Sequence, residues 1–280
     1  MLTVVGLVLV AACCHAVWNA YVKVSEDRLA GLVSINLIGA ASGLLMIPFV
    51  PVPDAETWLL IGLSVPVHIF YKLLLARAYR HGDLTQVYPV VRGVAPLAVW
   101  AIALLALSER LSPVELAGLA SICAGIVTMA AERAHVTRLA LRPLIIPILT
   151  GLTIACYTII DGLGSRQGST PFSFAAWLFV LDGGLFAVAV HYWRGPKLWT
   201  TVRIGWQAGL GSGLVAVGSY GVFLWALSRG AMGTIAALRE TSVLFAALIG
   251  VAFLGERVGV LRIVASVLIV CGIVLIAGSR

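Results

Sequence analysis

Apolar runs of about twenty residues recur along the whole chain, and they decide which solvent it can fold in. Separated by charge, Pro and Gly, ten such runs occupy 3–22, 31–50, 58–77, 84–107, 113–131, 145–163, 172–192, 206–227, 232–253 and 258–278. With 61% hydrophobic and 11% charged residues, a chain of 280 residues cannot cover its own surface in water. Hydrocarbon offers no partner to a backbone N–H or C=O, so each run is expected to be a helix. The expected fold is therefore all-α and polytopic, with ten transmembrane helices in a lipid bilayer. Helix starts are legible at Ser112-Pro113-Val114-Glu115, which reads as a capping box with Pro at the first position, and at Thr170-Pro171.

Several other readings lose ground on the same pattern. A net charge of +7 would suggest nucleic acid in a soluble protein. Here the basic residues lie mainly in short loops, where they suit anionic headgroups, and no nucleic-acid partner is expected. Cys13, Cys14, Cys123, Cys156 and Cys271 are odd in number, sit inside apolar runs and lack zinc spacing, so they read as packing thiols. Residues 1–22 lack a basic n-region and read as a retained first helix, not a signal peptide. No Walker, Gly-x-Ser-x-Gly or His-Glu-x-x-His motif occurs, so no enzyme, cofactor or metal is expected. Asp161 and Asp182 sit on consecutive spans, but Phe179-Val180-Leu181-Asp182 lacks the Gly-x-Gly-Asp of intramembrane aspartyl proteases.

The chain also repeats. Arg92, Glu109 and Gly125 recur 147 residues later as Arg239, Glu256 and Gly272, and Ser108-Glu109-Arg110 matches Gly255-Glu256-Arg257. The domains read as two five-helix repeats, 1–140 and 141–280. Five is odd, so the second repeat enters from the opposite face and the 5+5 repeat is inverted. Secondary transporters use that architecture, with the substrate site near the midplane between the halves.

Ionisable groups inside a span each cost about 2.5–3.5 kcal/mol on insertion scales, so each needs a reason. Six stand out: Lys72, Arg92, Asp161, Asp182, Arg239 and Glu240. One reading pairs them as three internal ion pairs that hold the bundle together. The other has some of them line a polar cavity. Arg92 and Arg239 are repeat equivalents, and two guanidiniums facing a pseudo-twofold axis suit a carboxylate or phosphonate. Glu240 follows Arg239 on a helix, about 100° round, so it need not neutralise Arg239, and Lys72 or the cavity is the other direction open to it. His68 and Lys72, four apart with Tyr71 flanking, share a face. So do His15 and Asn19, and in the sixth span Tyr157 and Asp161. His15, Asp161 or Glu240 is a candidate carrier of a coupling proton. Glu109 and Glu256, at span ends, read as capping groups. Gly39-Ala40-Ala41-Ser42-Gly43 and Gly209-Leu210-Gly211-Ser212-Gly213 are expected to let helices approach closely, and such a face could also join two copies in a homodimer.

The segments Ala78–Gly125 and Ala226–Gly272 resemble the EamA family of the drug/metabolite transporter superfamily. The matching features are a Gly after the third or eighth span and a Pro-containing fourth span (Tyr88-Pro89, Ala95-Pro96). A Leu-Ser-Glu-Arg or Leu-Gly-Glu-Arg exit follows, then a Gly-rich fifth or tenth span. The resemblance implies ten helices in an inverted repeat, ATP-independent movement of small metabolites, and a bacterial inner membrane. Tyr88 joins the candidate substrate contacts. The second half lacks the Tyr88-Pro89 pair, so the fourth and ninth spans are not chemically equivalent.

Orientation divides two arguments. Lys23, Arg28, Arg77, Arg80, Arg133, Arg138, Arg142, Arg194, Lys197, Arg203, Arg257 and Arg262 fall on one side, against Arg110, Arg166, Arg229 and Arg280 on the other. The positive-inside rule then places both termini outside, whereas the resemblance places both in the cytoplasm. The function expected is secondary transport of small polar metabolites, amino acids and organic acids first. The alternatives are a broad exporter of amphipathic or cationic compounds that uses Asp161, Asp182 and Glu240, and a non-transporting accessory membrane subunit.

Overall fold

The computed structural model describes residues 2–81, 84–133, 145–168, 170–254 and 259–279; at 23–24, 76, 78–81, 84–90, 129–133, 250 and 253–254 it describes the backbone alone. The described residues are mostly helical, joined by short turns, with no strand among them. In chain order the helices are α1 (Leu2–Val24), α2 (Arg28–Met46), α3 (Ala55–His81), α4 (Leu84–Leu107), α5 (Pro113–Arg133) and α6 (Ile145–Gln167). Then come α7 (Pro171–Arg194), α8 (Lys197–Ile204), α9 (Trp206–Leu227), α10 (Met232–Glu240), α11 (Ser242–Leu254) and α12 (Val260–Gly278). Among them are eight segments long and apolar enough to cross a bilayer: Leu2–Val22, Arg28–Phe49, Ala55–Leu75, Ile145–Gln167, Pro171–Arg194, Trp206–Leu227, Met232–Ile249 and Val260–Gly278. Two further apolar stretches, Val91–Leu107 and Pro113–Thr128, lie within α4 and α5, which run 24 and 21 residues. The chain is a polytopic helical membrane protein.

Local chemistry sets the helix ends. Asp27 Oδ1 accepts from the N–H groups of Leu29 and Ala30 at 3.1 and 3.2 Å and opens α2. Asp54 Oδ1 does the same for α3, accepting from Thr57 N–H at 2.8 Å. The Ser112 capping box forms as expected: Glu115 N–H donates to Ser112 Oγ (3.2 Å) and Ser112 N–H to Glu115 Oε2 (2.9 Å). Thr170 Oγ1 accepts from Ser173 N–H at 3.0 Å at the start of α7. That helix stops at Gly195, whose φ of 72° favours glycine, and α8 follows at once inside a connection read from the sequence as loop.

The expected ninth span is also two helices. Glu240 ends α10, Thr241 forms a turn and Ser242 begins α11. Thr241 N–H and Oγ1 both turn back on the Leu238 carbonyl, the hydroxyl at 2.6 Å, so the side chain holds the break closed.

The helices sort into two compact units. One comprises residues 1–12, 70–159 and 229–280, the other residues 13–69 and 160–228, and α1, α3 and α6 contribute to both. The first unit is organised by α5 against α12. A Cβ at Gly118 would stand 2.9 Å from the Gly272 carbonyl oxygen, and one at Gly272 would stand 2.6 Å from that of Gly118. A Cβ at Gly125 would lie 2.7 Å from the Ala265 oxygen. Between these points Ser121 Oγ donates to the Leu268 carbonyl at 2.7 Å. The two helices therefore run antiparallel at backbone contact. Gly125 and Gly272, Ser121 and Leu268, and Gly118 and Ala265 are each 147 residues apart, so every contact returns with its partners exchanged.

The second unit is organised by α2 against α7 and α9. Gly43 abuts the Ala176 carbonyl and Gly183 that of Asn36, again antiparallel, while Gly209 and Gly213 pack on Ser34 and Ile38. Gly43, Gly209 and Gly213 therefore permit the close approach read from their runs. Gly211 meets nothing within 4 Å. The five cysteines carry free thiols.

Candidate functional site

In the second unit, α3 presents Ser64 and His68 four residues apart, so both project from one face. Pro66 lies between them and removes the hydrogen bond to the Gly62 carbonyl. Their common partner is Asp161 on α6, which is fully buried. Ser64 Oγ–H donates to Asp161 Oδ1, and the Tyr220 hydroxyl from α9 donates to Asp161 Oδ2. His68 Nε2 lies 2.9 Å from the same Oδ2 and 3.4 Å from the Tyr220 hydroxyl. The His68 ring meets Tyr220 edge-on at 5.8 Å, and Phe179 and Phe223 complete an apolar wall around that phenol. One carboxylate thus gathers two hydroxyls and an imidazole with water excluded, where each such bond counts for more than it does at a surface.

In the first unit, α4 and α10 bring Arg92 and Arg239 onto one carboxylate. Arg92 Nη1 donates to Glu240 Oε2 at 2.7 Å, while Arg239 reaches Oε1 at 3.2 Å through Nη2 and 3.4 Å through Nε. All three residues are at least 97% buried. Arg239 Nη2 also donates to the Tyr157 hydroxyl on α6 at 3.4 Å, and its guanidinium stands 6.0 Å from the Tyr157 ring centre. Tyr71 from α3 meets that ring edge-on at 5.4 Å, and the neighbouring Lys72 is buried.

Helical offset alone did not require Glu240 to neutralise Arg239, yet the two side chains are paired. A residue at the last position of a helix is reached by its predecessor's long side chain folding back, and the Thr241 turn leaves room for it. Arg92 and Arg239, paired on paper by the repeat, do converge on one group. His68 and Asp161, read on separate helices, also meet. Around His15, Asn19 Nδ2 donates to its own helix at the His15 carbonyl (2.8 Å), and the His15 ring contacts Trp18 edge-on at 4.8 Å. The Tyr88 side chain lies outside the described residues, as does Glu256. Glu109 caps as expected: its Oε2 accepts from Met232 N–H at 2.9 Å, at the first residue of α10. Ser64 and Tyr220 were missed. Ser64 carried a usable signal, because it continues the four-residue spacing of His68 and Lys72. Tyr220 stands alone among apolar residues and carried none.

No curated protein matches the chain. A solved crystal structure superposes with a TM-score of 0.74 at 16% identity, covering 98% of this chain and 94% of the other, which establishes likeness of fold. The EamA-like transporter family matches over residues 141–278. Over that second half the chain matches the EamA-like transporters of the drug/metabolite transporter superfamily, and the resemblance read from the repeat is borne out there.

Proposed function

We propose that this protein is a secondary transporter of small anionic or zwitterionic metabolites, amino acids and organic acids first, in a bacterial inner membrane. On this reading ten helices form an inverted repeat of 1–140 and 141–280, and the two repeats alternate access. The antiparallel α5–α12 contacts, returning at a spacing of 147 residues, support that architecture. The observation that carries the substrate class is the convergence of repeat-equivalent Arg92 and Arg239 on one buried carboxylate. A guanidinium fork accepts a substrate carboxylate as readily as Glu240, so substrate enters by sharing or displacing that internal anion. Tyr71, Lys72, Tyr88 and Tyr157 complete this part of the site, with His15, Asn19, His68 and Asp161 as polar contacts elsewhere. A proton is the coupling ion, and a homodimer through a small-residue face is compatible with the reading.

The test is ligand-dependent thermal stability of detergent-purified protein across amino acids, organic acids, phosphonates and organic cations. Each variant is compared with its own unliganded melting temperature. A stabiliser that requires a free carboxylate or phosphonate, and fails with both Arg92→Ala and Arg239→Ala, supports the anion reading. Stabilisation by cations that survives both substitutions overturns it in favour of a cation exporter, a reading for which the buried Asp161 carboxylate is the supporting observation.

A further inference from the structure

We infer that Ser64, His68, Asp161 and Tyr220 form a reversible proton-binding site, with the proton held between His68 Nε2 and Asp161 Oδ2. Arg92 and Arg239 both hold Glu240 through direct guanidinium–carboxylate contacts. The Asp161 group is different in kind, because its hydrogen-bond partners among the described residues are two hydroxyls and an imidazole, groups that themselves exchange protons. With the neutral His68 ring protonated at Nδ1, its Nε2 lone pair and the fully buried carboxylate 2.9 Å away can take one proton from solution between them, forming an N–H or O–H bond without moving any heavy atom. The hydroxyls of Ser64 and Tyr220 remain as donors whichever of the two atoms holds it. The 3.4 Å approach of the Tyr220 hydroxyl to His68 Nε2 closes the circuit around the shared position.

The titratable groups against Asp161 are His68 from α3 and Tyr220 from α9. Arg166, on α6 itself, donates instead to the Leu227 carbonyl at 2.9 Å. The other acidic or imidazole groups inside this unit's spans are His15 on α1, Asp182 and His191 on α7 and Glu56 at the start of α3; His15 and Asp182, the two set well inside their spans, serve as controls. The site rests on the transport reading only for its role: in a transporter it would carry the coupling proton, while proton binding itself needs no substrate.

The experiment is pH-difference infrared spectroscopy of the full chain reconstituted in lipid, with no solute present, across about pH 8 to 5. Wild type is expected to take up one proton in a step with imidazole or carboxyl signature. That step is expected to be lost in Asp161→Asn and His68→Gln, and retained in His15→Gln and Asp182→Asn. Tyr220→Phe, which preserves the ring, is expected to change the band position of the step while leaving it present, and so reports a folded site independently of the other variants. A step that survives Asp161→Asn and His68→Gln, or no step in wild type, overturns the assignment. Loss in Asp182→Asn or His15→Gln alone moves the proton elsewhere and overturns it equally. The step with no stabilising ligand in the thermal panel would defeat the transport reading and leave this site standing.

Discussion

Glu240 shows what a single side chain can hold in a bilayer. Two guanidiniums within 3.2 Å of its oxygens leave it no inexpensive substitute, because the amide of Glu240→Gln cannot offset two buried positive charges. Breaking a buried pair from one side costs about 3–5 kcal/mol. Glu240→Gln is therefore expected to lower the melting temperature in detergent sharply, while Arg92→Met combined with Glu240→Leu loses less than the two single changes summed. Equal melting of Glu240→Gln and wild type would show that the carboxylate is not holding the cluster. A second residue stores strain instead. Ser108, with φ of 55°, sits in the left-handed region that disfavours a side chain, at the site where the other half carries Gly255. Ser108→Gly should raise stability by up to about 1 kcal/mol, and a lower melting temperature would count against that strain. Arg92 and Arg239 were legible as partners because the repeat aligns them. Their common anion was not, since the 100° between neighbouring positions says nothing about a long side chain folding back. Nor could Tyr220 be tied to Asp161: a contact across 59 residues leaves no local periodicity.

At the level of elements, glycine marks the places where backbones touch. A methyl group at Gly272 would meet the Gly118 carbonyl at 2.6 Å, and a carbonyl on a packed helix cannot turn aside. Gly272→Ala is expected to cost about 1–3 kcal/mol through overpacking of α5 on α12. Gly62→Ala, on α3 with nothing within 4 Å, supplies the contrast. There alanine's helix propensity should make the change neutral or stabilising by up to about 1 kcal/mol. Thermal melting of the two variants side by side checks the geometry, and equal effects would refute it. The starts of α5 and α7 were readable because their caps are written in adjacent residues. The break between α10 and α11 was not, since Leu238-Arg239-Glu240-Thr241-Ser242 contains neither Gly nor Pro. It depends on a threonine turning its hydroxyl to the Leu238 carbonyl three residues back, whereas buried Thr150 turns its own to the Ile146 carbonyl four back within an unbroken α6. Short α8 escaped for a related reason. Eight residues between two spans carry too few periods to separate from loop.

For the whole molecule the decisive quantity is the parity of crossings. If each repeat crosses five times, residues near 140 lie on the face opposite to residue 1, and residue 280 returns to the face of residue 1. Among the described residues eight segments meet the length and hydropathy of a span, and the apolar stretches Val91–Leu107 and Pro113–Thr128 lie in α4 and α5, helices of 24 and 21 residues. Crossing by both of these keeps the parity of five plus five. Were one of the two to lie in the interface instead, the termini would fall on opposite faces. The antiparallel course of α5 and α12 argues for both crossing, because equivalent helices of an inverted repeat must point in opposite directions. Reporter fusions that are active only inside or only outside the cell, placed after residues 1, 140 and 280, should therefore give one answer at both ends and the other in the middle. Opposite answers at the two ends would remove the inverted repeat, and with it the equivalence of Arg92 and Arg239. The same fusions decide which force sets orientation. With twelve basic residues on one side against four on the other, an outside report at both termini follows the positive-inside rule. An inside report would mean that those charges serve lipid contacts or folding, and do not direct insertion.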